Sequence, residues 1–263
     1  LSWFLAGCTI PGPTKEEKKV AAAITIHNIS LPTDLGGHLY YTQAGDPKGQ
    51  RVIFLHGTPG DRGAWDGYMS AVPAGRLYIA VDRPSFGDSG PPGIVSIWRQ
   101  VEIIAELLES SADPVVLVGH SYGGTLVALL AALYPDKVGA IVIVAGTVSP
   151  DSDHQWGLFK FFSYPPMRYL VPRVLNKAND EVIAMEEESK EFPQLWGRIH
   201  SPIFVLQGSK DPLVSVDNII YMREKMVNAP LDITVLEGGS HFLIWEEAEK
   251  VRQLISKAVA VAQ

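Results

Sequence analysis

The sequence predicts an α/β domain built on a mostly parallel eight-stranded sheet, with helices on both faces and a small helical cap. Three observations predict it. Short β-rich runs recur along the chain, and several are almost wholly apolar, the mark of strands buried on both faces. Helical patterns lie between the later runs, and such alternation implies a parallel sheet covered on both sides. One long stretch, 147–199, carries no strand pattern at all.

The β-rich runs are Ile24 to Ile29, His38 to Thr42, Val52 to Leu55, Leu77 to Val81, Val115 to Val118, Ala140 to Val144, Ile203 to Leu206 and Ile233 to Leu236. Only "SLPTDLGG" separates the first two, which suits an antiparallel hairpin at one edge of the sheet. Helical patterns run over Ala64 to Val72, Ile94 to Ser110, Tyr122 to Tyr134, Val216 to Val227 and Ile244 to Val261. From Thr147 to Ile199 the composition shifts to aromatics, prolines and an acidic helix around "NDEVIAMEEESKEF". An insertion of this kind falls beyond the carboxyl ends of the strands, where ligands bind in open α/β sheets, so it reads as a cap over a site. The expected organisation is a leading segment 1–23, a core of 24–146 and 200–263, and a helical cap of 147–199.

A chain of 263 residues with 46% hydrophobic content suits one large domain with an ample core. The net charge of −7 and the lack of any Lys/Arg block argue against nucleic acid as a partner. One cysteine excludes an intramolecular disulfide, and no paired Cys/His spacing suggests a zinc site. No apolar run approaches the ~18 to 20 residues that cross a bilayer.

The single cysteine has a telling position. In "LSWFLAGCTIPGP", Leu5-Ala6-Gly7 directly precedes Cys8, which resembles the end of a bacterial lipoprotein signal, where the cysteine is lipidated; the charged n-region of such a signal is missing. The Pro-, Gly- and charge-rich "PGPTKEEKKVAAA" that follows has the composition of a tether. The resemblance implies a protein of the bacterial cell envelope that meets the membrane only through a lipid anchor on Cys8; without that modification a cytoplasmic location is expected.

A serine hydroxyl is a poor nucleophile at neutral pH and needs a base, which in turn needs an orienting carboxylate. In Gly119-His120-Ser121-Tyr122-Gly123, between the strand pattern "VVLV" and the helical "TLVALLAAL", glycines flank the serine two residues away on each side. A strand that turns sharply into a helix with little side-chain bulk leaves Ser121 exposed at the rim of the sheet. His120, inside this turn, reads as a brace for it.

Here the sequence resembles the α/β-hydrolase fold family, from about Ile24 onward. The family's chain order is serine, acid, histidine. The resemblance implies Ser121 as nucleophile, Asp211 in "IFVLQGSKDPLVS" as the acid after the seventh strand, and His241 in "ITVLEGGSHFLIWE" as general acid and base after the eighth. Asp151, after the sixth strand, is a competing acid at a position some members use. In "FLHGTPGDRGAW" the residues His56-Gly57 resemble the family's oxyanion loop, which implies the backbone N–H groups of Thr58 and Tyr122 as oxyanion donors. "VDRPSFGDSG" resembles the family's D-x-x-G-x-G-x-S loop with Ser85 in place of the first glycine, a serine that is strained if the position needs positive φ. Asp82 and Arg83 read as structural.

A serine at the turn, rather than the aspartate of the family's haloalkane dehalogenases and epoxide hydrolases, points to acyl chemistry on a small-molecule ester, with no cofactor or metal required. The aromatic stretch "HQWGLFKFFSYPPMRYLVP" offers Trp156, Phe159, Phe162 and Met167 as an apolar substrate pocket, with Arg168 and Lys160 as candidates for a substrate carboxylate. A carbon–carbon bond hydrolase uses the same three residues. An aminopeptidase would need an amine-binding acid, for which Glu186 to Glu188 are candidates. From a different class, a non-catalytic ligand receptor is possible on this fold.

Overall fold

A computed structural model describes residues 24–31, 37–90, 93–150, 167–170 and 172–262. Cys8, Asp151, Trp156, Phe159, Lys160 and Phe162 lie outside these described residues, as does the leading segment 1–23.

The sheet has eight strands: β1 (Thr25–Ser30), β2 (His38–Gly45), β3 (Gln50–Leu55), β4 (Arg76–Val81), β5 (Val115–His120), β6 (Val138–Val144), β7 (Ile203–Gly208) and β8 (Leu231–Leu236). They lie in the order β1-β2-β4-β3-β5-β6-β7-β8. β1 and β2 form the expected antiparallel edge hairpin, and β2 also pairs antiparallel with β4. From β4 through β8 every pairing is parallel. The apolar runs follow from this arrangement. Along β3, Ile53 and Leu55 face one core layer while Val52 and Phe54 face the other, and β5 and β6 divide their side chains likewise.

Five longer helices lie among the described residues: α1 (Ile97–Glu109), α2 (Tyr122–Leu133), α3 (Arg173–Glu188), α4 (Asn218–Lys225) and α5 (Ala248–Val261). α2 is buried on all sides from Tyr122 to Ala132, so its sequence has no polar stripe. Two expected helices are broken. The Ala64 to Val72 pattern resolves into a 3-10 turn, Arg62–Trp65, and a single α-turn, Asp66–Met69, both set off by the Asp61 carboxylate accepting the Gly63 N–H. The Ile244 to Val261 pattern splits at Glu247 into Leu243–Glu246 and α5.

The interval between β6 and β7 contains no strand among its described residues and holds the short helix Met167–Leu170 and α3. Arg168 is paired bidentately with Asp180 at 2.7 and 2.8 Å, so its charge is used within this interval. Glu188, at the end of α3, accepts from Ser96 Oγ at 2.5 Å and Ile97 N–H at 2.9 Å, capping the start of α1. Among the described residues no helix is long and apolar enough to cross a membrane.

Candidate active site

Parallel strands end at one edge of the sheet, and the loops after β3, β5, β7 and β8 meet there. The chain turns from β5 into α2 at Ser121, which has φ 54° and ψ −123°, a region that non-glycine residues rarely occupy. The flanking glycines are required by contact. A Cβ on Gly119 would collide with Gly123 O, and one on Gly123 would collide with Leu55 O on β3. The turn is held from the neighbouring strand by Ser121 N–H donating to Val144 O at 3.0 Å.

Asp211 and His241 come together across the β7 and β8 loops. His241 Nδ1 lies 2.8 Å from Asp211 Oδ2, with both side chains almost fully buried. The other carboxylate oxygen, Oδ1, accepts the Leu213 and Val214 amides at 2.8 and 2.9 Å, and Gln207 Nε2 donates to Oδ2 at 3.2 Å. Burial pushes the Asp211 carboxyl up, but the hydrogen bond and charge of the His241 ring and the two amides outweigh it, leaving the group below its ordinary value. An ionised carboxylate there fixes the His241 proton on Nδ1 and leaves Nε2 as the basic nitrogen. No hydrogen bond joins Ser121 Oγ to the His241 ring; in unliganded sites such contacts are often long.

Two buried histidines brace these loops. His120 Nε2 lies 3.0 Å from the His241 carbonyl; since a carbonyl only accepts, the proton sits on Nε2. Burial, with the neighbouring His241 adding to it, lowers the His120 pKa to about 3, so the ring is neutral. His56 Nδ1 donates to Gly57 O at 2.7 Å while its Nε2 accepts the Arg83 N–H at 3.1 Å, which fixes the opposite tautomer. Burial and the Arg83 charge hold its pKa well below the ordinary value.

Ser121 lies between two cavities. The larger, about 420 Å³, is walled by the loop from His56 to Ala64 on one side and by His241, Phe242 and Trp245 on the other. Phe242 and Trp245 are 43% and 39% exposed, so they form its mouth. The smaller, about 50 Å³, is lined by Thr58, Tyr122 and Thr147, by Val182 and Met185 of α3, and by Leu213 and Val214. The Tyr122 N–H, at the first position of α2, has no partner within the helix. Thr58 Oγ1 is buried without a hydrogen-bond partner at the wall both cavities share.

Of the residues expected from the sequence, Ser121, His241, Thr58 and Tyr122 converge here, and Asp211 is joined to them through His241. Met167 begins the short helix Met167–Leu170. Sequence reasoning missed Val182, Met185, Leu213, Val214, Phe242 and Trp245. Leu213, Val214, Phe242 and Trp245 follow Asp211 or His241 within four residues, so their nearness in sequence was an available signal. For Val182 and Met185 the signal was the apolar spacing within the acidic helix.

In the loop after β4 the position of the replaced glycine does need positive φ. Ser85 has φ 71°, and the strain, about 1–2 kcal/mol for such a residue, is offset by its Oγ accepting the Ile94 N–H at 2.9 Å. Asp82 binds the Arg62 and Asp88 amides and the Arg62 guanidinium, a role confined to the loop's architecture.

Epoxide hydrolase 3 of Xenopus tropicalis is 25% identical over 282 residues, covering 87% of this chain and 76% of that protein. A pimeloyl-[acyl-carrier protein] methyl ester esterase of Neisseria meningitidis is 31% identical over 111 residues, covering 41% of this chain and 35% of the esterase. The solved structure of 2-hydroxy-6-oxo-6-phenylhexa-2,4-dienoate hydrolase from a Rhodococcus species superposes with a TM-score of 0.70 at 17% identity, covering 90% of this chain and 99% of that one. A family profile described as the alpha/beta hydrolase family matches residues 52–254, and the chain belongs to that family.

Proposed function

We propose that this hydrolase is a serine carboxylesterase that cleaves esters of small to medium hydrophobic compounds through an acyl-serine intermediate. The observation that carries the reading is His241, bonded to Asp211, on the wall of the cavity into which the strained turn presents Ser121. In the proposed cycle His241 Nε2 takes the Ser121 proton as Oγ attacks the ester carbonyl. The oxyanion forms against the N–H groups of Thr58 and Tyr122, and the new imidazolium is stabilised by Asp211. His241 then gives the proton to the departing alkoxide, and water activated by the same nitrogen releases the acid.

In this reading the path of the proton distinguishes the two cavities. A general acid must reach the leaving oxygen, so the alcohol portion belongs on the His241 side, in the larger cavity with its aromatic mouth. The acyl chain then belongs in the small apolar cavity under Val182 and Met185, which favours short acyl groups. Thr58 Oγ1, unpartnered at the shared wall, is available to the ester oxygen.

The alternatives are less well supported. An epoxide hydrolase of this fold needs an aspartate where this chain has Ser121. Carbon–carbon bond cleavage of a carboxylate-bearing dienoate has no lysine or arginine to receive the carboxylate among the described residues of the larger cavity; its charged side chain is Asp61. An aminopeptidase would need an acid free to bind the amine. Glu188 is committed to capping α1, and Glu187 is paired with Lys190.

The test is hydrolysis of p-nitrophenyl acetate by the wild type and by Ser121→Ala, with a fluorophosphonate label mapped by mass spectrometry. Turnover lost in Ser121→Ala and a label on Ser121 are expected. Equal inertness of both proteins across a broad acyl panel would sink the reading and favour a non-catalytic receptor.

A further inference from the structure

One fully buried ion pair among the described residues lies outside the proposed chemistry. Arg83, in the loop after β4, and Glu181, on α3, both have 0% side-chain exposure. The guanidinium binds both carboxylate oxygens, Nη1 to Oε1 at 2.8 Å and Nη2 to Oε2 at 3.1 Å. Gln100 of α1 joins them, accepting from Arg83 Nη1 at 2.6 Å and donating to Glu181 Oε1 at 2.5 Å. Such an ion pair is weak evidence for stability, because desolvation offsets much of its attraction. Its geometry points to another role.

The remaining Arg83 donors are spent on the loop after β3. Nε donates to His56 O at 2.9 Å and Nη2 to Gly57 O at 3.1 Å. Gly57 O and Thr58 N–H belong to one peptide unit, which is trans, so its carbonyl and its N–H point in opposite directions. Arg83 and His56 Nδ1 together hold the carbonyl toward the protein interior, which turns the Thr58 N–H the other way. Gly57 adjoins the nucleophile so closely that a Cβ on it would lie 2.9 Å from Ser121 Cβ. A charged donor on the carbonyl also polarises the peptide and strengthens its N–H as a donor. The same guanidinium lies 4.5 Å from the centre of the Tyr122 ring, and Gln100 Nε2 donates to Tyr122 Oη at 3.3 Å. Arg83 therefore contacts the peptide unit that carries the Thr58 N–H and the ring of Tyr122, the residues whose amides are the oxyanion donors of the proposed reaction.

We propose that Arg83, held by Glu181, is a positioning residue for the Thr58 N–H, so that the seating of α3 sets how well the oxyanion is stabilised. This rests on the reading of Thr58 as an oxyanion donor. Val182 and Met185, one and four residues beyond Glu181 on α3, line the small cavity, so an acyl group packed there bears on the helix that holds Arg83. A Lys at position 83 keeps the charge and the pairing with Glu181, yet it lacks the planar fork that spans two carbonyls and a carboxylate.

Arg83→Lys and the apolar replacement Arg83→Met/Gln100→Leu/Glu181→Met separate this role from simple support of the fold. The triple variant removes the charges and polar partners together and keeps the volume filled, which buried ion pairs often tolerate. Cooperative thermal unfolding checks that each variant folds. For p-nitrophenyl acetate, kcat is expected to fall about 10- to 100-fold with KM within about twofold, part of the loss seen when an oxyanion donor is removed outright. Affinity for a trifluoromethyl ketone, whose adduct with Ser121 places an oxyanion in the site, is expected to weaken by a similar factor. The Thr58 amide proton resonance is expected to move upfield in both variants, a readout that needs no turnover. A folded variant with unchanged kcat, ketone affinity and Thr58 resonance overturns the inference. A wild type that turns over no ester overturns the esterase reading instead, and the Thr58 resonance still decides the role of Arg83.

Discussion

Asp211 and His241 are bonded at 2.8 Å across two loops, and the carboxylate is itself pinned by the Leu213 and Val214 amides. The pin matters because it leaves the carboxylate no freedom to turn away from the ring. In Asp211→Asn the shape of the loop is kept, but an amide cannot stabilise the imidazolium or enforce the Nδ1–H tautomer. The expected result is a fall in kcat of about 10⁴-fold at pH 7 with KM little changed. Steady-state kinetics on p-nitrophenyl acetate checks it, and a loss below tenfold would point to another acid, with Asp151 the first to test.

The small cavity under α3 gives a chain-length expectation. A pocket discriminates by about 1–3 kcal/mol for each methylene it cannot hold, so hexanoyl esters are expected to react at least ~10-fold more slowly than acetyl esters, compared by kcat/KM. Met185→Ala enlarges the pocket and is expected to close most of that gap. Met185 is buried, so the variant is expected to lose about 2–5 kcal/mol of stability and is best assayed well below its unfolding midpoint. An unmodified enzyme indifferent to chain length would mean that the acyl group lies elsewhere.

The buried histidines set an acid limit on stability. His120 has a folded pKa of about 3 against an ordinary 6.5, and His56 is lowered in the same direction. Between those pH values the unfolded chain binds protons that the folded chain refuses. The stability contributed by neutral burial is thus fully present above about pH 6.5 and is lost as pH falls toward the folded pKa. The slope is about 1.4 kcal/mol per pH unit for each histidine. Urea midpoints at pH 8, 6 and 5 are expected to fall in that order, with a shallower slope in His120→Gln. A flat profile in the wild type would contradict the burial of neutral rings.

Much of this architecture was legible in the chain. The doubly buried strands β3, β5 and β6 announce themselves as unbroken apolar runs, because a strand covered on both faces has no polar side to show. The Ser121 turn was legible because close approach to Leu55 and Gly123 leaves room only for glycine at positions 123 and 119. Two things were hidden for physical reasons. The helix expected over Ala64 to Val72 has the right spacing, but the Asp61 turn and the Trp65 side chain, packed against Phe54 and Tyr68, constrain it to short segments. The Arg83–Glu181 pair joins residues 98 positions apart, and nothing in the sequence names either as the other's partner. Only a topology that folds α3 back over the loop after β4 can reveal them as partners.

That pair also bears on traffic through the enzyme. Lifting α3 away would break the bidentate Arg83–Glu181 contact and the Gln100–Glu181 bond together, so the helix is tied down as a wall of the small cavity. Among the described residues, the approach to Ser121 is by the wide side, between the loop of His56 to Ala64 and the Phe242–Trp245 rim. In the proposed reaction the departing alcohol fills that corridor, and water reaches the acyl-serine only after it has gone. The alcohol is the first product out and the acid the last. A second alcohol entering by the same corridor meets the acyl-serine in water's place, so ester exchange competes with hydrolysis whenever such an acceptor is abundant.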